Sequence, residues 1–186
     1  MKIASQRADA FLRKPDAAIR AVLLYGPDAG LVRERAETLI KTVAGSLDDP
    51  FRTREITLAD LKEEPALLRD EALALSLVGG RRAIRLRNAG DSLSALFEEL
   101  FADGAKGDSV IVVEAGNLAA RSSLRLLFEG TTGAAAVPCY LDDESTLSDV
   151  IVDSLKRRGL AVAPDALDFL ASQLGGDRMI TRSELD

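Results

Sequence analysis

LLYGPDAGLVRER, residues 23–35, carries the decision about the fold. The apolar run Leu23-Leu24-Tyr25 meets Gly26-Pro27 and passes into a segment with Leu31, Arg35, Leu39 and Val43 at helical spacing. An apolar run, a Gly-Pro turn and then a 3.6-residue period describe a buried strand entering a helix. A phosphate-binding loop sits at such a junction and reads G-x-x-x-x-G-K-[ST]. Its backbone N–H groups cradle phosphate, its Lys neutralises the oxygens, and its hydroxyl ligates Mg²⁺. With Gly26 and Pro27 opening the loop, Leu31 stands at the second glycine, Val32 at the lysine and Arg33 at the hydroxyl. Every charge-handling group is absent, and Leu31 puts a side chain where backbone must approach phosphate closely. On spacing alone, an ordinary βα turn is the simpler reading.

Outward from this stretch, strand-like and helix-like segments alternate, which predicts an α/β fold with a largely parallel sheet flanked by helices. Strands are predicted at 20–25, 52–58, 82–88, 109–114 and 134–140, and helices at 5–14, 30–44, 58–76, 91–103 and 118–129. The apolar strands 20–25, 109–114 and 134–140 are expected at the centre of the sheet. The charged ones, 52–58 and 82–88, are expected towards one edge. After Leu141-Asp142-Asp143 only helical patterns follow, at 145–158, 164–174 and from 177, broken by Gly159, Pro164 and Gly175-Gly176. The division expected is 1–142 for the α/β domain and 143–186 for a small all-helical unit.

Composition prunes the chemistry. The chain has no histidine and one cysteine, which removes the commonest general base, Ser-His and Cys-His pairs, an internal disulfide and a transition-metal site. No metal, cofactor or catalytic residue is therefore predicted. A net charge of −6 argues against a surface that is nucleic-acid-binding throughout. No run is long and apolar enough to span a membrane, and Met1-Lys2-Ile3-Ala4-Ser5-Gln6-Arg7 lacks a signal-peptide pattern, so a cytoplasmic protein is expected. A nucleotide-hydrolysing strand normally ends in an acid that holds Mg²⁺. The 82–88 strand ends Arg87-Asn88-Ala89-Gly90; Glu114 lies on a strand read as neighbouring the first.

Four segments in order, LLYGPDAGLVRER at 23–35, LALSLVGGRRAIRL at 73–86, VVEAGNLAARSSLRLLFE at 112–129 and LKRRGLAVAPDALDFLASQLGGDRMITRSEL at 155–185, resemble the delta subunit of the bacterial DNA polymerase III clamp loader. The resemblance implies an AAA+-like αβ domain with a degenerate phosphate-loop, a helical lid domain from 143, and a collar domain beyond Asp186. It implies a subunit of the polymerase III holoenzyme (a DNA-directed DNA polymerase, a nucleotidyltransferase) that has no catalysis of its own. Such a subunit binds and opens the β sliding clamp for loading on primed DNA without hydrolysing ATP. Its partners would be the clamp, the gamma/tau and delta prime subunits, and DNA through the assembled complex. The clamp contact of the family maps onto Ser76, Leu77 and Val78, with Val78 where an aromatic is usual. Leu73 and Leu75 are assigned to the core.

Arg81, Arg85 and Arg87 alternate onto one strand face, beside Arg82, and are read as a solvated edge, with DNA-backbone contact as the alternative. Arg121 and Arg125 lie where related loader subunits carry an arginine finger, but Arg121-Ser122-Ser123 lacks their Ser-Arg-Cys pattern. Cys139 is read as a core residue. Two other functions stay open: a nucleotide-binding enzyme with an unorthodox loop, and a degenerate AAA+ regulator or scaffold.

Overall fold

Strand β1 (Ala21–Tyr25) is buried at every position because it has strands on both edges and helices on both faces. The computed structural model describes residues 1–76, 79–102, 107–140, 148, 151–152, 154–156 and 159–174. In chain order, the elements are α1 (Ala8–Arg13), β1, α2 (Ala29–Ala44), β2 (Thr53–Ile56), α3 (Leu58–Glu63) and α4 (Leu67–Leu73). They continue with β3 (Ala83–Ala89), α5 (Ser94–Ala102), β4 (Val110–Ala115), α6 (Ser123–Gly130), β5 (Ala134–Pro138) and α7 (Pro164–Gln173). The five strands form one parallel sheet in the order β2-β3-β4-β1-β5.

Alternation along the strands splits the core in two. Val22, Leu24, Val112 and Val137 pack under Leu12, Leu39 and Ile40 on one face. Leu23, Tyr25, Leu86 and Val113 pack under Leu68, Phe97 and Phe128 on the other. There Phe128 meets Phe97 and Phe101 edge-on, at ring-centroid separations of 5.0 and 5.4 Å. Local chemistry sets the helix ends: Thr57 and Asp60 form a reciprocal capping box on α3. Gly45, at φ 84°, closes α2.

The sheet corrects the predicted strand order at one place. The 134–140 strand, predicted central, is an edge strand beside β1. It is apolar because helices cover its faces, and its outer edge is met by residues 1–3. Ile3 N–H donates to Ala136 O and Ala136 N–H to Met1 O, each at 2.9 Å. β2 is the opposite edge, as its charge predicts. The predicted 58–76 helix is two helices, interrupted around Pro65, and α4 ends at Leu73. The helix predicted at 118–129 begins only at Ser123. After β5, residues 148, 151–152 and 154–156 are helical, as is α7. The boundary expected at 142/143 and the helix expected from 177 fall outside the described residues.

One close approach fixes the end of β1. Cys139 N–H donates to Tyr25 O at 2.7 Å, and a Cβ built on Gly26 would lie 1.6 Å from the Cys139 carbonyl oxygen. Backbone opposes backbone there, so no rotamer change could relieve the clash. Gly26→Ala is expected to lower the urea-unfolding free energy by about 3 kcal/mol or more, at or above the usual range for overpacking. Gly90→Ala, whose Cβ would meet nothing within 4 Å, should stay within about 0.5 kcal/mol of the parent. A Gly26→Ala protein as stable as the parent would contradict this packing.

Candidate functional site

In an open parallel sheet, ligands bind beyond the C-terminal strand ends, where the strand order reverses. Here that point lies between β1 and β4, and the degenerate phosphate-loop residues Gly26 to Arg33 border it. Gly26 N–H donates to Gly116 O at 3.1 Å, joining the segments that leave β1 and β4.

A helix N-terminus is a ready anion site because its first N–H groups lack partners and its dipole is positive. α2 carries its own anion. Asp28, 1% exposed, is the N-cap, and its carboxylate accepts from Leu31 N–H at 2.9 Å. Asp28 O also accepts from Val32 N–H at 3.0 Å. Val32, at the lysine position, is buried in the α1–α2 core together with Leu31. Arg33, at the hydroxyl position, points to solvent and pairs with Glu37 at 3.1 Å. Arg35, two residues further on, is buried; it pairs with Asp9 at 3.1 Å and donates to Pro138 O at 2.7 Å. Pro27 follows Gly26 in the turn. Sequence reasoning left Asp28 out, although an Asp directly before a helical period is a strong capping signal.

The neighbouring strand ends are equally occupied. Glu114, opposite Leu24 of β1, forms a buried ion pair with Arg85 of β3. Arg87 lies 4.0 Å from Glu114 and 3.3 Å from Glu55 of β2. The solvated arginine edge predicted for β3 is thus corrected: β3 lies between β2 and β4, and Arg85 is charged because a buried carboxylate opposes it. Arg82 pairs with Glu71 at 2.6 Å, and Arg81 donates to the carbonyls of Asp108 and Ile19. Arg125 is buried over the Tyr25 ring, 4.8 Å from its centroid, and binds Glu129 at 2.9 Å. It is committed inside the domain, while Arg121 is exposed. Burial pushes the Cys139 thiol up to about 11, which fits a core residue. Among the described residues, no cluster of His, Cys, Asp or Glu could hold a metal ion.

Of the residues predicted to touch a partner, Ser76 is described and precedes β3. Ser76 is half-buried; its Oγ donates to Gly79 O at 3.0 Å, and Gly79 N–H returns to Ser76 O at 3.3 Å. Gly79 and Gly80 both have left-handed backbone, at φ 74° and 77°. Leu77 and Val78 lie outside the described residues. Leu73 and Leu75, assigned to the core, are 43% and 78% exposed. The reason is that α4 stops at Leu73, so its apolar period does not carry Leu75 onto the packed face.

One acid does follow β3 closely. Asp91 accepts from Ser122 Oγ at 2.5 Å and from Leu124 N–H at 3.1 Å, and so caps α6. These bonds, the Ser122 hydroxyl first, hold its carboxyl below the usual 3.8. The lowered folded-state value means that Asp91 stabilises the fold above pH 3.8 and that this stability is lost as pH falls through the folded value. Asp91→Asn should therefore lower the melting temperature at pH 7 and narrow its gap to the parent as pH falls below 4. A gap independent of pH, measured by thermal unfolding from pH 7 to pH 3, would contradict this role.

Comparison with known proteins places this geometry. No family model matches the chain. A probable DNA polymerase III subunit delta from Rickettsia prowazekii (strain Madrid E) is 27% identical over 168 residues, covering 90% of this chain and 49% of that protein. The Bacillus subtilis DNA clamp loader delta protein superposes with a TM-score of 0.68 at 18% identity, covering 98% of this chain and 56% of that one. The Thermotoga maritima RuvB Holliday junction branch migration motor superposes with a TM-score of 0.55 at 15% identity, over 97% of this chain and 57% of that one. The chain thus spans about half the length of the curated relative it matches. The structural likenesses establish an AAA+-like fold, a parallel sheet flanked by helices. Over 90% of its length, this chain is similar to DNA polymerase III subunit delta, the family that its sequence resembles.

Proposed function

We propose that the chain acts as the clamp-binding part of a bacterial clamp loader. It would bind and open the β sliding clamp for loading on primed DNA, and would not hydrolyse ATP. The observation that carries the reading is the self-capped α2 N-terminus. Asp28 supplies a buried carboxylate where a nucleotide phosphate would need the N–H groups, and Val32 is core where a lysine would be required. A phosphate there would meet like charge at short range. The rival reading of a nucleotide-binding enzyme requires that site to be open.

In this reading the helices after residue 143 form the lid. The gamma/tau and delta prime subunits are partners, and DNA is met through the assembled complex. The chain then serves the DNA polymerase III holoenzyme as a non-catalytic, cytoplasmic subunit. No helix among the described residues is long and apolar enough to cross a membrane.

The clamp contact is assigned to Ser76, Leu77 and Val78. Support comes from the exposed Leu73 and Leu75 that lead into the segment, and from the left-handed glycines that follow it. Exposed apolar side chains grouped this way mark interaction sites. A pocket interface of this kind is anchored by a few side chains. Leu77→Ala with Val78→Ala should weaken clamp binding by roughly 2–4 kcal/mol. The same variant should change stability by no more than about 0.5 kcal/mol. Affinity by calorimetry and melting temperature are to be measured on the same double variant. Unchanged affinity, or a collapsed fold, would return both residues to the core.

A further inference from the structure

Leu31, Arg35, Leu39 and Val43 form the helical stripe of α2, and one of the four is a cation. Leu31 and Leu39 are buried in the core, and Arg35 between them is buried too. An apolar side chain at that position would complete the stripe without the cost of burying a charge. The partners of the guanidinium account for its presence.

Arg35 reaches two elements besides its own. Its Nε pairs with Asp9 of α1 at 3.1 Å, and its Nη1 donates to the carbonyl of Pro138, the last residue of β5, at 2.7 Å. The Asp9 side chain is 59% exposed, so that pair adds little by itself. The bond to Pro138 O is buried. β5 is an edge strand, and the first residues of the chain bond it at Ala134 and Ala136. Further along, the Pro138 carbonyl takes Arg35 instead. A buried carbonyl left without a donor is costly.

The next residue is held by the turn that opens α2. Cys139 N–H donates to Tyr25 O at 2.7 Å, and the Cys139 carbonyl lies so close to Gly26 that no Cβ fits between them. Tyr25 and Gly26 lead into α2, the helix that carries Arg35. The turn and its helix thus grip residues 138 and 139 at two separate points. Beyond β5 the chain leaves the sheet for the helical unit.

We infer that Arg35 and the Gly26 turn form a clasp on residues 138 and 139 that fixes the direction in which the chain enters the helical unit. Protein contacts, and not a bound nucleotide, then set how that unit sits on the sheet. The inference rests on the reading of the helices after residue 143 as a lid, and it does not depend on the clamp. Arg35 is a positioning residue, acting through the Pro138 carbonyl. Arginine suits the role because one planar fork serves an acid and a carbonyl at once, where lysine offers a single point charge.

The test uses the full chain with Thr42→Cys on α2 and Ser172→Cys on α7, both exposed, as spin-label sites; the native Cys139 is fully buried. Pulsed dipolar spectroscopy then reads the distance between α2 and the helical unit. The parent should give one narrow distribution, unchanged by Mg-ATP. Arg35→Met should broaden the distribution or move its maximum. It should also speed amide exchange at Cys139 about tenfold, as expected for the local loss of a buried hydrogen bond from a charged donor. Arg33→Met, exposed on the same helix, should change neither. If Arg35→Met fails to fold, Arg35→Lys replaces it and should change both readouts in the same direction. A broad parent distribution, or one that responds to Mg-ATP, would overturn the inference. So would an Arg35 variant that lowers the melting temperature and keeps the parent's distribution, since a merely structural arginine would behave that way. Clamp binding tells the two readings apart. A narrow distribution that depends on Arg35, in a protein that does not bind the clamp, removes the proposed function alone. Clamp binding with a broad distribution removes only the clasp.

Discussion

Much in this domain follows from how the α2 N-terminus is satisfied. A helix that starts at the C-terminal end of a central parallel strand has unpaired N–H groups aimed into a crevice. A phosphate-binding loop fills that place with phosphate. Here Asp28 fills it with a carboxylate 1% exposed, and the Gly26 N–H is bonded to Gly116 O. Once the anion is built in, a lysine has no role at position 32, and Val32 packs into the sheet instead. The Glu114–Arg85 pair shows the same logic at the adjacent strand ends, where the protein neutralises its own acid. A buried pair of this kind gives little net stability, but it is costly to leave half-made.

Exposed apolar side chains also lie at the opposite end of the sheet. Leu73, Leu75 and Phe51 are exposed there, and Arg20 and Arg81 donate to main-chain carbonyls.

Much of the fold was legible in the sequence because burial on both faces leaves a local mark. The run 23–25 and the run 110–113 are apolar throughout, and both are central strands. The edge position of β5 was not legible, because apolarity reports covered faces and says nothing of an edge that residues 1–3 complete. Arg85 misled for a related reason. Its partner, Glu114, lies on another strand, and no local pattern connects them. Leu75 was misread because the end of α4 at Leu73 depends on tertiary context rather than a breaker residue. In the candidate site, the loss of phosphate-loop groups was legible position by position. The capping role of Asp28 was written in the residue type, but only the geometry shows it buried.

The central claim is that the protein binds a ring-shaped protein partner and not a nucleotide. One sample titrated calorimetrically, first with Mg-ATP and then with β sliding clamp, tests both halves together. The account predicts no saturable heat from ATP in the micromolar range, and saturable heat from the clamp. Saturable ATP binding with a dissociation constant of about 10 μM or tighter, roughly 7 kcal/mol, or the absence of any clamp binding, would contradict it.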